Sequence, residues 1–518
     1  KNKIMFKDIQ KKLLLKYPLL WNTKFVPMVA IGLLLHLIFF GLGYLDGTID
    51  FSNRNNLDIE VTCILFGVLL VIIIIILWLV NYFKNNSLKS FYSKSKYSLF
   101  YEWLQIFVVS TLLITFYLPF SVGKQLHQRS YYSLEETTNR CKTIATADMF
   151  IDGSFGETEI DSLASGLIDS LGNKIALNYN PEDANTAEYA TEKESMAVEA
   201  VAAYTYKNHI IFNGKKYDQF SLVNRNTFEF TVISREQDSL NRIQVQNWLH
   251  QDNKAEVKKL MDNHLSLIRE HDLATNLTLD KWFDIVYKAP EFDEFLYIQP
   301  YLKQYETDES YNNYEMASKI GYDDRKYSKY FVQQDVLKDK YDTVSEAHTD
   351  PFFNIEMILG FLYGAFGLSI LIFSFRVTSG KSWLIAVVTT GVINIVYGIF
   401  TAIVGVGNMY AYLILFTILG IIFYFFLIYF NKKNLQLSRI ALNLFLWSFI
   451  GIIPLIYFII QEHYLRGENR YDYNYTSPEY EWMREHIIHM FSLNFIFAIL
   501  TLFFLSKIIR NWKGISED

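Results

Sequence analysis

The sequence predicts an α-helical, multi-pass membrane protein of eight spans in a 3+5 arrangement, with a soluble α+β domain inserted between spans three and four. Three observations carry this. Hydrophobic residues make up 51% of 518 residues and collect in long runs, such as the eighteen uncharged residues Cys63–Val80. A run of that length matches the ~30 Å hydrocarbon core at 1.5 Å per helical residue. Charge is also segregated: Gly123–Asp350 holds 25 Lys and Arg against 39 Asp and Glu, a net of −14, which leaves the rest at +8 within a whole-chain charge of −6. The apolar runs exclude a single soluble globule, while 24 Gly and 2 Cys exclude collagenous and disulfide-scaffold classes.

Taken in order, eight segments qualify as spans: Val26–Leu45, Glu60–Asn81, Trp103–Val122, Phe352–Phe375, Trp383–Val406, Tyr410–Phe430, Ile440–Ile460 and Ile487–Lys507. The first follows Lys11, Lys12, Lys16 and Lys24 and ends in Gly41, Gly43, Tyr44 and Asp46 without a small-x-small cleavage site, so it reads as an uncleaved anchor. Short connections rich in Lys and Arg stay in the cytoplasm. The N-terminal tail, Lys84–Lys96, Arg376–Lys381, Lys432–Arg439 and Lys507–Lys513 are basic, and they are every second connection. Both termini are therefore expected inside, in a bacterial inner membrane. Removing any one span would break the alternation for every connection downstream.

The resulting division is a cytoplasmic amphipathic N-terminal helix (1–25), spans one to three (26–122) with a cytoplasmic connection at 82–102, and a periplasmic α+β domain (123–351). Spans four to eight (352–508) follow, with a tyrosine-rich external loop at 461–486, and then a cytoplasmic tail (509–518). Within the inserted domain, Asn213-Gly214 between His209–Ile211 and Lys216–Phe220 is a hairpin signal, and Phe228–Ile233 reads as a further strand. Ala187–Tyr206, Val245–Leu249, Val257–Ile268 and Trp282–Tyr287 read as helices. Tyr464, Tyr471, Tyr473, Tyr475, Tyr480 and Trp482 in the second external loop suit a bilayer interface or the grip of a partner.

No local signature of catalysis is present: GxxxxGK[ST], GxSxG, HExxH and the kinase set are all missing, and no cofactor is expected. The weak candidates for a metal are His486 and His489, three apart on one helical face and preceded by Glu485. Ionisable or amide groups inside a span normally face other helices, and His36, Glu356, Asn394, Asn443, His489 and Asn494 are the ones in play. Opposite-charge pairs typical of ion-coupled pumps are not evident in the spans. Gly360, Gly364 and Gly367 with Gly391, Gly398 and Gly405 predict a closely packed pair of the fourth and fifth spans, and Pro119 and Pro454 predict kinks in the third and seventh. Cys63 and Cys141 are read as unpaired small hydrophobes.

Two cytoplasmic stretches carry the functional argument. Phe6–Trp21 places Phe6, Ile9, Leu13, Tyr17 and Leu20 at three- and four-residue spacing, with Pro18 as a break, and reads as a helix in the membrane interface. Ser87–Tyr101 mixes Lys89, Lys94 and Lys96 with Phe91, Tyr92, Tyr97 and Phe100. An interfacial helix before the first span, a basic-aromatic helix after the second and a large external domain resemble the membrane subunits of ATP-binding-cassette exporters. The resemblance is architectural and implies that Lys89, Phe91 and Tyr92 dock a separate cytoplasmic ATPase. The expected function is thus a non-catalytic, permease-like subunit of a transport or export complex, homo- or hetero-oligomeric. Its partners would be the bilayer, that ATPase and a periplasmic or envelope protein, with no nucleic acid. The alternatives are a membrane sensor or scaffold whose periplasmic domain binds a ligand, and an intramembrane enzyme acting on lipid or glycan through His489, His486 and Glu356.

Overall fold

The computed structural model describes residues 15–53, 58–84, 97–151, 228–286, 332–404, 409–431, 436–465 and 477–511, together with the backbone of a few two- and three-residue strands. Lys89, Phe91, Tyr92, the predicted helix Ala187–Tyr206 and Tyr471, Tyr473 and Tyr475 lie outside the described residues. The chain divides into an apolar unit (1–46, 59–123 and 352–518) and a polar unit (47–58 and 124–351).

In the apolar unit, a short helix α1 (Pro18–Asn22) opens with Pro18 at its first position, where the missing N–H costs nothing. Pro18 therefore starts a helix. The chain turns at Lys24, whose φ of 54° lies in the left-handed region and whose ammonium sits 3.7 Å from the Trp21 ring centre. The elbow is fixed from outside: Thr23 Oγ1 donates to Gln105 Oε1 (2.7 Å) and Trp78 Nε1 donates to the Thr23 carbonyl (2.8 Å).

The spans follow as α2 (Phe25–Asp46), α3 (Glu60–Lys84), α4 (Ser98–Ile114) with α5 (Tyr117–Ser130), α11 (Ile355–Val377), α12 (Gly380–Val404), α13 (Met409–Asn431), α14 (Gln436–Ser448) with α15 (Ile452–Leu465), and α17 (Ile487–Asn511). Seven helical segments are long and apolar enough to cross a membrane, and α4 with α5, bent by 41°, makes an eighth if counted as one span. This is a helical, multi-pass membrane protein. α4 is the central element, because its two faces serve two cores. Ile106, Val109 and Leu113 pack with Leu35, Phe39, Val71 and Trp78, whereas Trp103 packs with Phe366, Phe373, Leu446 and Leu502.

The expected close pairing of the fourth and fifth spans through glycine is not what forms. A Cβ at Gly360, Gly364, Gly367, Gly391 or Gly398 would meet nothing within 4 Å. Close approach occurs between α2 and α5 instead, where a Cβ on Gly43 would lie 1.9 Å from the Phe120 carbonyl oxygen and one on Gly123 would lie 2.2 Å from that of Phe40. Reciprocal backbone contact of this kind is the use of glycine in packed membrane helices.

The polar unit is built from α6 (Leu134–Asp148), α7 (Arg235–His250), α8 (Lys254–Glu270), α9 (Leu279–Val286) and α10 (Gln334–Thr349). Ser133 and Ser234 cap α6 and α7 by accepting from Glu136 N and Gln237 N, both at 3.2 Å, and acidic residues occupy the first turns. Cys141, Ile144, Phe150, Phe230, Val245, Met261, Ile268, Trp282, Leu337 and Tyr341 form one core. The helices expected around Val245–Leu249, Val257–Ile268 and Trp282–Tyr287 correspond to α7, α8 and α9.

The α+β expectation finds no support among the described residues. Ile210–Phe212 pairs antiparallel with Lys215–Tyr217 at the anticipated hairpin, but among the described residues each strand pairing spans two or three residues and sheets stop at two strands, well short of the usual 5–6. Phe228–Ile233 is not a strand. Phe228 N donates to Asp148 Oδ2 (3.2 Å), Val232 N to Ser345 Oγ (2.9 Å) and Ile233 N turns back to Phe230 O (3.0 Å), so these amides join no ladder.

Candidate functional site: polar groups of the apolar unit

Each intramembrane polar group named from the sequence has a place in the structure, and two of them, Asn494 and His36, satisfy backbone carbonyls of other helices. Pro454 cannot donate to the carbonyl of Ile450, four residues earlier. Asn494, 2% exposed, fills that vacancy with Nδ2 3.0 Å from Ile450 O. The same amide donates to Tyr363 Oη (2.8 Å), which in turn donates to Phe491 O (2.9 Å). His36 does the equivalent at the bend of the third span, where its Nε2 donates to Leu112 O (2.8 Å) next to the last turn of α4. Asn443 joins the Thr378 hydroxyl (3.0 Å). Broken helices persist in a membrane when neighbouring side chains satisfy the freed backbone in this way.

The exposed members behave differently. Glu356 sits in the first turn of α11, where Asn354 caps its amide (2.8 Å), a position the helix dipole favours for a carboxylate. Asn394 returns Nδ2 to Thr390 O (2.8 Å) and accepts from Tyr410 Oη. His486 lies between the short helix α16 (Pro478–Glu485) and α17, its Nδ1 bonded to Trp482 O (2.8 Å), and its ring centre is 5.5 Å from that of His489. No group of three metal-ligating side chains occurs among the described residues.

One cluster escaped the sequence reading. Tyr82 near the end of α3, Glu102 in the first turn of α4 and Arg376 at the end of α11 meet in the interior. Tyr82 Oη donates to Glu102 Oε1 (2.6 Å) and Arg376 Nε lies 3.4 Å from the same oxygen, with Glu102 only 5% exposed. A buried charge is tolerated when it is both paired and hydrogen-bonded, and removing one partner of such a set costs roughly 3–5 kcal/mol. Nearby, Trp103 Nε1 donates to Ser369 Oγ (3.0 Å) and Trp447 Nε1 to Ser374 Oγ (2.8 Å), so α11 is held from several sides. The available signal was Glu102 itself, the one acidic residue in the basic connection 82–102.

Electrostatically, this end of the unit is cationic in its connections and contains a neutralised pair in its interior. Chemically, the arrangement positions and couples helices. No protein family, curated protein or solved structure matches the chain.

Proposed function

We propose that the chain is a non-catalytic, permease-like subunit of a transport or export assembly in a bacterial inner membrane, driven by a separate cytoplasmic ATPase. The spans divide 3+5, both termini and the basic connections are cytoplasmic, and the polar unit is periplasmic. The supporting observation is the Tyr82–Glu102–Arg376 cluster. The connection that carries Lys89, Phe91 and Tyr92 leaves α3 just after Tyr82 and enters α4 just before Glu102, so both of its flanks are tied to the end of α11. A push delivered to that connection is thereby delivered to α11 and to the central helix α4 as well.

A second reading, a sensor or scaffold, is favoured by the use of Asn494 and His36 in satisfying backbone carbonyls rather than in facing a solute. Purification of the full chain in mild detergent, with mass spectrometry of co-purifying chains, separates the two. A stoichiometric ATPase that is lost in the double variant Phe91→Ala, Tyr92→Ala while membrane insertion persists supports the transport reading. Wild-type protein without an ATPase overturns it. The topology is tested by single cysteines, one at Asn253 that an impermeant maleimide labels in spheroplasts and one at Asn434 that it does not.

A further inference from the structure

The connection between α2 and α3 does not merely reverse the chain. Residues 47–58 belong with the polar unit. Gly47 is pressed against it so closely that a Cβ would lie 2.5 Å from Lys124 O and 2.8 Å from His127 Cβ. Ile49 N donates to Tyr131 Oη (2.8 Å), and Asp50 turns the tip by accepting from Ser52 N (3.0 Å) and Ser52 Oγ (2.6 Å). Phe51 then enters a cage of four rings. His271 lies parallel to it at 4.7 Å and 17°, and Tyr131, Tyr132 and Tyr341 stand at 5.5, 5.8 and 5.5 Å.

The floor of that cage is a short polar chain. Arg140 Nη1 donates to Tyr341 Oη (2.9 Å), which also lies 3.0 Å from His271 Nε2. His271 is 8% exposed. Protonating its ring places a second cation across Tyr341 from Arg140.

We propose that residues 47–53 form an acid-released strap: the neutral His271 ring is the shelf on which Phe51 rests, and protonation of His271 frees Phe51 and opens the segment. Burial and the Arg140 charge hold the imidazole below its ordinary value, while Glu270 acts the other way. The switch therefore operates on the acid side of pH 6.5.

Other charged or titratable groups surround the cage. Glu270 and Asp272 flank His271 in sequence, Glu136 and Arg140 come from α6, Lys340, Tyr341 and Asp342 from α10, and Asp50 from the strap itself. His127, Tyr131 and Tyr132 close the remaining side, with His348 on the Tyr132 carbonyl (2.9 Å). Asp342 is pushed up to about 6 by burial and by Glu346 and Asp339, so it is a second group to control for.

The test is amide hydrogen exchange of the segment 47–53 in full-length protein in detergent, corrected for the intrinsic pH dependence of exchange. In the wild type, protection falls at least tenfold between pH 7 and pH 5, and in Glu270→Gln the fall is displaced to lower pH. In His271→Gln the tenfold fall disappears. Protection that does not change with pH in the wild type overturns the proposal, as does a fall that survives in His271→Gln. Should that variant lose the protection of α8, His127→Gln and Asp342→Asn decide instead: retention of the fall in both supports His271, and its loss in either one refutes the assignment.

Discussion

Changing Asn494 to leucine isolates the repair of the seventh span. The variant removes the side-chain donor to Ile450 O (3.0 Å), a part-buried carbonyl to which Pro454 has no N–H to offer. An unsatisfied buried backbone group costs about 1–3 kcal/mol, whereas measured side-chain bonds between membrane helices average ~0.6 and reach ~1.7 kcal/mol. A loss of about 1–2 kcal/mol is therefore expected. Tyr363 keeps its bond to Phe491 O and should not add to this. The decisive quantity is the coupling. In a Pro454→Ala background the chain supplies its own N–H at 454, so Asn494→Leu should cost about 1 kcal/mol less there than in the wild type. Unfolding in mixed micelles of increasing denaturing-detergent fraction, followed by far-UV circular dichroism, gives all four corners of the cycle. Single-variant costs that add to within ~0.4 kcal/mol would show that Asn494 is not repairing the Pro454 break, and the account of the buried amides would fall with it.

Further predictions follow from the two units. Gly43→Ala places a methyl group against Phe120 backbone, which cannot yield as a side-chain tip could. It should destabilise the bundle by more than Gly391→Ala, whose new methyl meets nothing, and the same detergent titration ranks them. In the polar unit, His264 is fully buried, and burial with the nearby Lys338 cation brings its pKa down to about 3 against the opposing pull of Gln334. The unfolded chain, titrating near 6.5, takes up the proton first, so this residue's contribution is intact above pH 6.5 and is lost as pH falls toward 3. The linkage amounts to about 2 kcal/mol between pH 7 and pH 5. His264→Leu should remove that part of the acid sensitivity, read as exchange protection of Lys254–Glu270; an unchanged pH dependence would contradict the burial argument.

The spans were legible because a run such as Cys63–Val80 has no soluble alternative, and the bend of the third span was legible because Pro119 cannot complete a helix. What each polar residue does was not. Asn494 and His36 announce themselves as costly in lipid, yet the carbonyls they serve lie 44 and 76 residues away in sequence, and only the packed bundle brings them together. The glycines misled for a related reason: spacing shows that residues share a helix face, not whether that face meets protein or lipid. Glu102 and Arg376 sit at span ends, where each alone looks like an ordinary interfacial charge. In the polar unit, α6 and α10 went unread although Ser133 and Glu136 stand three apart as a capping box does. Their apolar positions complete a core only when paired with each other, which local periodicity does not reveal.

That pairing has a consequence for how the protein is made. Arg140 and Tyr341 are 201 residues apart, and Asp148 and Gln334 are 186 apart. Bringing ends so distant together carries a closure entropy of roughly 5 kcal/mol, and no bond between α6 and α10 repays it until the second helix has been synthesised. A ribosome adding 5–20 residues per second delivers α10 on the order of ten seconds or more after α6. Throughout that interval, Ile144 and Phe150 lack the α10 side of the finished core. Biogenesis of this chain thus includes a waiting period whose length is set by translation, and a protease or a holding chaperone would find its opening there.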